Sequence, residues 1–179
     1  TELTWLGHGC WSIATGGQHV LLDPFLDDSP VAPVKSDQVQ ADFILVSHGH
    51  FDHTADVEKI ARRTGATLVS NFEICEWFAA KGVQKTHPMN IGGTHQFSFG
   101  RVKMTIAHHS STLPDGASGG DPAGFLLYLP EGKVYFACDT GLFYDMKLIG
   151  AAGIDIAALP IGDNFTMGPD DALEAVKLI

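Results

Sequence analysis

The sequence predicts an α/β fold built as two sheets with helices on their outer faces. Three observations carry this. The chain opens with short strand-like runs separated by glycine turns. It then switches to alternating strand and helix, and its second half repeats strands followed by a βα unit. No internal repeat or low-complexity tract interrupts the pattern.

Residues 3–6, 11–14 and 19–22 are the opening strands. Gly7 and Gly9 break the first from the second, and Gly16-Gly17 fits a hairpin turn before the third. The polar loop 27–40, with Pro30 and Pro33, is too short for a domain linker and too poor in apolar residues for a buried element. Residues 42–47 carry Phe-Ile-Leu-Val, typical of a strand buried on both faces. Thr54 caps a helix reaching Thr64, with Val57, Ile60 and Ala61 as its apolar stripe and Gly65 as its stop. Residues 67–69 form the next strand. Asn71 then caps a second helix with Ile74, Trp77 and Phe78 on one face and Gly82 at its end. Residues 96–99, 102–107, 124–129 and 134–138 return to strand, and Pro130-Glu131-Gly132-Lys133 is a turn between the last two. Residues 154–159 read as a final buried strand. Pro169 opens a helix still running at Ile179, with Ala172, Val176 and Ile179 on one face.

Of the 179 residues, 45% are hydrophobic and 18% charged, and 11 Lys and Arg face 21 Asp and Glu for a net charge of -10. That apolar content excludes a disordered chain. The acidic balance argues against a nucleic-acid partner, whose binding needs a basic stripe to displace counterions. Apolar runs such as 43–46 fall far short of the ~20 residues of a membrane-spanning helix. No basic segment followed by an apolar stretch opens the chain, so no export signal is expected. Cys10, Cys75 and Cys138 are odd in number and widely spaced, which suits reduced thiols in a cytoplasm. The expectation is one domain over residues 1–179.

The segment that carries chemistry is His48-Gly49-His50-Phe51-Asp52-His53, an H-x-H-x-D-H run between an apolar strand and a helix. Open α/β sheets bind their ligands at that strand end. His48 and His50 are two apart, so in extended backbone their rings share a side. Asp52 and His53 lie past the turn and can face a second point. Neutral imidazoles with a carboxylate suit Zn2+, and also Mn2+ or Fe. A single loop histidine is ordinarily a solvated or core residue. Three histidines and an aspartate within six residues are different. Buried without a cation, they leave several polar groups unpaired at about 1–3 kcal/mol each.

That run resembles the signature of the metallo-β-lactamase-fold hydrolases. Other segments match, in order, a family of uncharacterised metal-dependent hydrolases within that superfamily. They are Gly7-His8, Leu22-Asp23-Pro24-Phe25-Leu26, Ser47-His48-Gly49-His50, His87-Pro88-Met89, His109-Ser110-Ser111, Asp139-Thr140 and the stretch 159–169. The resemblance covers essentially the whole chain. More distantly, the chain is similar to the ascorbate-phosphate lactonases and the N-acyl-ethanolamine phospholipases.

The resemblance implies a metallo-β-lactamase-like αββα sandwich with two mixed sheets, binding one or two ions. His48 and His50 match the first-site histidines, joined by a strand-end histidine. Of His108 and His109, the residue before Ser110-Ser111 matches, so His109 is the expected ligand and strand alternation gives His108 a wall or surface place. Asp52 and His53 match second-site ligands, and Asp139 matches the carboxylate that bridges two metals. Asp52 or Asp139 would then hold the attacking group and act catalytically. A glycine usually precedes that aspartate in the family, whereas here it is Cys138. Its expected role is a small buried hydrophobe, beside the alternative of an added soft ligand or an oxidation hazard. Asp23 matches an aspartate that fixes a ligand histidine, although a turn residue before Pro24 explains it equally. His8 is a substrate contact or a simple loop residue, and Asp163 and Asn164 orient ligands or substrate near the pocket mouth. His19, His87 and His95 read as structural or surface residues.

The resemblance also implies a last second-site histidine on a strand after the final helix. No histidine follows His109, and the helix from Pro169 shows no Gly or Asn stop. The expectation is a chain truncated at its C-terminus, lacking a strand and a helix, with an open apolar surface beside the last strand.

The expected activity is metal-dependent hydrolysis, with a metal-bound hydroxide attacking an ester, lactone or phosphodiester-type small substrate. No G-x-S-x-G elbow is present, and Ser110 and Ser111 read as loop donors. A nucleic-acid phosphodiesterase would share the motif but not the acidic balance. A redox di-iron protein of this fold would carry a carboxylate where His50 stands. A non-catalytic metal-binding module would show a closed four-ligand shell. The partner expected is a small molecule, with homo-oligomers compatible.

Overall fold

The computed structural model describes residues 1–179. Strands β1 (Glu2–Trp5), β2 (Trp11–Thr15), β3 (Gln18–Leu22), β4 (Phe43–Leu45), β5 (Thr67–Asn71) and β6 (Thr86–Met89) form one sheet in chain order. β1 to β3 pair antiparallel and β3 to β6 parallel. The second sheet runs β11 (Ile156–Ala158), β10 (Gly132–Phe136), β9 (Ala123–Leu129), β8 (Gly100–Ile106) and β7 (Thr94–Phe97). It is antiparallel except for the β10–β11 pair. Both sheets are mixed, as the sequence predicts.

Side-chain alternation along the strands builds the layers. On β3 to β5, Val20, Leu22, Leu45 and Val69 face the second sheet and meet Val102, Phe125, Leu127 and Phe136 there. Leu21, Ile44 and Leu68 face the other way, against α2 (Val57–Thr64) and α3 (Phe72–Ala80). Fully burying such a side chain contributes about 1.5–3 kcal/mol, so a trio of strands buried on both faces is a rigid floor for the loops at its ends. On the outer side of the second sheet, Leu126 and Tyr135 pack against Ile149 of α4 (Met146–Gly150). Ala172 and Ala175 of α5 (Pro169–Leu178) join Met146 of α4 in a separate small core. No helix is long and apolar enough to cross a membrane.

Several elements differ from expectation. Thr54 does not cap the helix expected to reach Thr64: it ends a short helix, α1 (Phe51–Thr54), and the expected helix begins as α2 at Val57. The break falls at Asp56, whose carboxylate accepts the N–H groups of Leu26 at 2.7 Å and Asp27 at 3.1 Å instead of capping α2. That clamp ties the start of α2 to the chain leaving β3. β11 is not buried: Ile156 is 52% exposed, because this short strand has a sheet neighbour on one side only. Val176 is exposed, and the buried stripe of α5 is Ala172 and Ala175. β6 and α4 are elements the sequence reading did not include. β6 contains Pro88, whose missing N–H is tolerated because the strand lies at a sheet edge.

Candidate metal centre

His48 lies just past β4 and is fully buried. His50, which has extended backbone (φ −63°, ψ 147°), immediately precedes α1. The two rings therefore share a side, with centroids 4.6 Å apart and His48 Nε2 3.0 Å from His50 Nδ1. His109, beyond the end of β8, brings its ring to 5.0 Å from each. One ring nitrogen from each of these three histidines lies within 4.8 Å of the others. His108 turns elsewhere and stacks on Phe143 at 4.8 Å.

His53, on α1, is also fully buried. Its Nδ1 is 2.9 Å from Asp23 Oδ2. Its Nε2 has no hydrogen-bond partner and faces Asp139 Oδ2 at 3.5 Å. Asp139 follows β10, and the same oxygen is 3.7 Å from His109 Nε2, so this carboxylate stands between the two groups of histidines. Asp52 turns to His8, with Oδ2 2.9 Å from Nε2. Ligand atoms of His8, Asp52 and His53 lie within 4.8 Å of one another. Gly9 is required here, since a Cβ at that position would stand 2.7 Å from His53 Cε1.

The outward-facing ring nitrogens are held by protein. Asp23 accepts the Ser47 N–H at 2.7 Å and the Ser47 hydroxyl at 2.5 Å. Ser47 Oγ is 2.9 Å from His48 Nδ1, and Ser110 Oγ is 3.2 Å from His50 Nε2. His48, His50 and His53 thus each have one nitrogen fixed and the other turned inward, the arrangement that orients metal-binding imidazoles. The buried, unpartnered Nε2 of His53 fits a cation, which would remove a desolvation cost of about 1–3 kcal/mol. The donors, imidazole and carboxylate, suit zinc, manganese or iron. Cys138 belongs to none of the clusters. Its Sγ lies 3.7 Å from the Phe136 carbonyl oxygen, and burial pushes the thiol far up in pKa.

Electrostatics point the same way. Burial, with His53 beside it, holds His48 down at about 2, so the ring is neutral and available as a ligand. Burial and His109 likewise lower His50. Burial also opposes a charge on His53, but Asp139 and Asp23 outweigh it and raise that ring to about 10. In metal-free protein these carboxylates favour the protonated ring, and a cation held by His53 would displace that proton. Burial works against the Asp139 charge, yet His53 keeps that carboxyl low, and His8 keeps Asp52 well below the usual carboxylate range.

His50, Asp52, His109, Asp139 and Asp163 line one groove of about 990 Å3. Its far wall is apolar, including Trp5, Trp11, Phe136 and Ile156. Asp163 and Asn164 do not reach the histidines by any hydrogen bond. Both have left-handed backbone (φ 61° and 54°), and Asp163 Oδ1 accepts the Asn164 N–H at 2.8 Å. His8 lines the same groove, with its Nε2 on Asp52. Ser47 joins the site although the sequence marks it only by its place directly before His48.

The beta-lactamase superfamily domain family matches residues 18–179. A UPF0173 metal-dependent hydrolase of Desulforamulus reducens is 50% identical over 183 residues, covering 99% of this chain and 79% of that protein. Another from Methylacidiphilum infernorum is 46% identical, covering 99% of this chain and 80% of its own length. The solved structure of Igni18, a metallo hydrolase from Ignicoccus hospitalis, superposes with a TM-score of 0.89 at 32% identity, covering 98% of this chain and 77% of that one. A solved structure from Parabacteroides distasonis, at 23% identity and a TM-score of 0.76, shares the fold over 98% of this chain and 76% of that one. With about half its residues identical to relatives along nearly its full length, the chain belongs to the UPF0173 family of metal-dependent hydrolases in the β-lactamase superfamily.

Proposed function

We propose that His48, His50 and His109 hold a first cation, that Asp52 and His53 hold a second, and that Asp139 lies between them as a shared ligand. The observation that carries this reading is the three-histidine set, one nitrogen of each within 4.8 Å of the others, beside the buried, unpartnered Nε2 of His53 that faces Asp139 at 3.5 Å. Zinc suits the donor set best. When bound, a divalent cation supplies Lewis acidity and makes water a nucleophile near neutral pH.

The chain's own groups do the rest. Asp23 and Ser47 fix the orientations of His53 and His48, and Ser110 fixes that of His50. Asp52 and Asp139 stay ionised and can only accept hydrogen bonds, so they orient an attacking water toward the groove. His50 and His109 both line that groove, so the three-histidine set faces open space on one side, as a catalytic site does and a purely structural one does not. The substrate is a small molecule with an electrophilic carbonyl or phosphoryl centre: an ester, a lactone or a phosphodiester. A groove of about 990 Å3 fits such a ligand, and a net charge of -10 disfavours nucleic acid. Three free cysteines support a reducing compartment such as the cytoplasm.

The test is turnover of a small panel of aryl esters, lactones, phosphodiesters and thioesters by protein reconstituted with Zn2+, Mn2+ or Fe2+. One class should be hydrolysed, and a chelator should abolish the activity. Tight metal binding with no turnover of any class would support a non-catalytic metal module instead.

A further inference from the structure

We propose that His8 is a positioning residue for Asp52, donating a hydrogen bond to one carboxylate oxygen so that the other is presented to the second cation. The proposal rests on the reading of Asp52 as a ligand. The loop between β1 and β2 is tightly closed, with the Leu6 N–H on the Cys10 carbonyl and the Cys10 N–H on the Gly7 carbonyl, both at 2.9 Å. His8 sits at its tip with a left-handed backbone, φ 51°, a conformation uncommon for a residue with a Cβ. The Trp5 indole N–H donates to the His8 carbonyl at 2.9 Å and pins the peptide.

The ring is held as well. It meets Phe25 edge-on at 5.9 Å and packs against His53 at 4.9 Å. Its Nε2 then lies 2.9 Å from Asp52 Oδ2. An ionised carboxylate only accepts hydrogen bonds, so His8 is the donor. Asp52 needs such a partner. Its side chain is 45% exposed, and it stands on α1, a helix of four residues, too short to restrict a carboxylate by packing. A group that fixes a ligand through its second atom typically changes metal affinity by about 10- to 100-fold.

The experiment compares wild type, His8→Ala and His8→Gln, titrated with Co2+. Stoichiometry and affinity are read by calorimetry, the ligand field by the visible spectrum, and folding by melting temperature. The wild type should bind two ions. His8→Ala should keep the first-site affinity and lose about 10- to 100-fold at the second, with an altered visible band. His8→Gln, whose amide N–H can reach Asp52, should recover to within a few-fold of wild type. Unchanged second-site affinity in His8→Ala overturns the role while leaving the metal centre standing. A glutamine variant as weak as the alanine variant also overturns it, in favour of direct ligation by His8. A wild type that takes up no second ion overturns the reading of the second site on which the proposal rests.

Discussion

Turns far from the metal centre and loops around it meet the same backbone demand with different residues. Left-handed backbone at the β2–β3 turn is held by Gly16 and Gly17, at the end of α2 by Gly65, and after α3 by Gly82. Around the centre, beside Gly7 (φ 98°), it is also held by residues with a Cβ: His8 (φ 51°), Asp23 (φ 45°) and Cys138 (φ 55°), with Asp163 farther along the groove and Asn164 next to it. A residue with a Cβ pays about 1–2 kcal/mol for that conformation. At two of the first three positions the return is visible: Asp23 gathers Ser47 and His53, and His8 gathers Asp52. Cys138 is the residue through which the chain turns out of β10 to deliver Asp139. Strain of this kind is concentrated where the placement of a side chain, rather than the path of the chain, decides what the molecule does.

The comparison can be broken most decisively at the centre itself. Asp139→Ala should lower turnover by more than about 10²-fold and reduce metal content, since a shared ligand matters more than the supporting groups whose loss costs 10- to 100-fold. The fold should survive, because Asp139 lies at a strand end, 20% exposed. Turnover, metal content and circular dichroism together check this, and near-normal activity at equal metal content would remove the bridging role.

Asp23→Ala should destabilise the protein by about 3–5 kcal/mol in chemical denaturation, because it leaves a buried imidazole and two Ser47 donors unpaired. Asp23→Asn should cost less, as an amide oxygen still accepts from Ser47. A loss in Asp23→Ala no larger than about 1–2 kcal/mol, the cost of alanine in left-handed backbone, would mean that Asp23 is a turn residue and no more.

The same substitution at two free cysteines, one buried and one half-buried, sharpens the backbone argument. Cys75→Gly, inside α3, should cost about 2–3 kcal/mol by adding a helix-interior glycine to a lost buried side chain. Cys138→Gly should cost less than about 1 kcal/mol, because relief of the left-handed strain offsets the lost packing. Similar costs at both sites would show that the backbone at Cys138 is unstrained. The smallest effect belongs to Gly65→Ala. No atom lies within 4 Å of a Cβ built there, so only conformation is at stake. A loss of about 1 kcal/mol with unchanged metal binding is expected.

Much of this arrangement is legible in the sequence because its causes are local. The Phe-Ile-Leu-Val run and the H-x-H-x-D-H segment specify a buried strand ending in a shared-side pair of histidines, which is where β4, His48 and His50 lie. Asn71 announces α3, and its side chain accepts the Ile74 N–H. What is not legible depends on distant partners. The start of α2 is shifted from Thr54 to Val57, next to Asp56, whose carboxylate is held by Leu26 and Asp27. The 44-residue separation of His8 and Asp52 leaves no trace in local spacing, and neither does the separation of Ser110 from His50. Ile156 reads as core by residue type, but its strand has no neighbour on its outer side.

The indole of Trp5, hydrogen-bonded to the His8 carbonyl and 57% exposed, also gives the molecule an optical reporter. Trp5 and Trp11 line the groove that contains His50 and Asp139. Trp77 sits apart on α3, bonded to Asp115 with Lys81 over its ring. A paramagnetic ion entering the centre should therefore quench the fluorescence of two tryptophans and spare the third. Emission during a Co2+ titration would follow loading without a label, and Trp77→Phe would remove the unresponsive background.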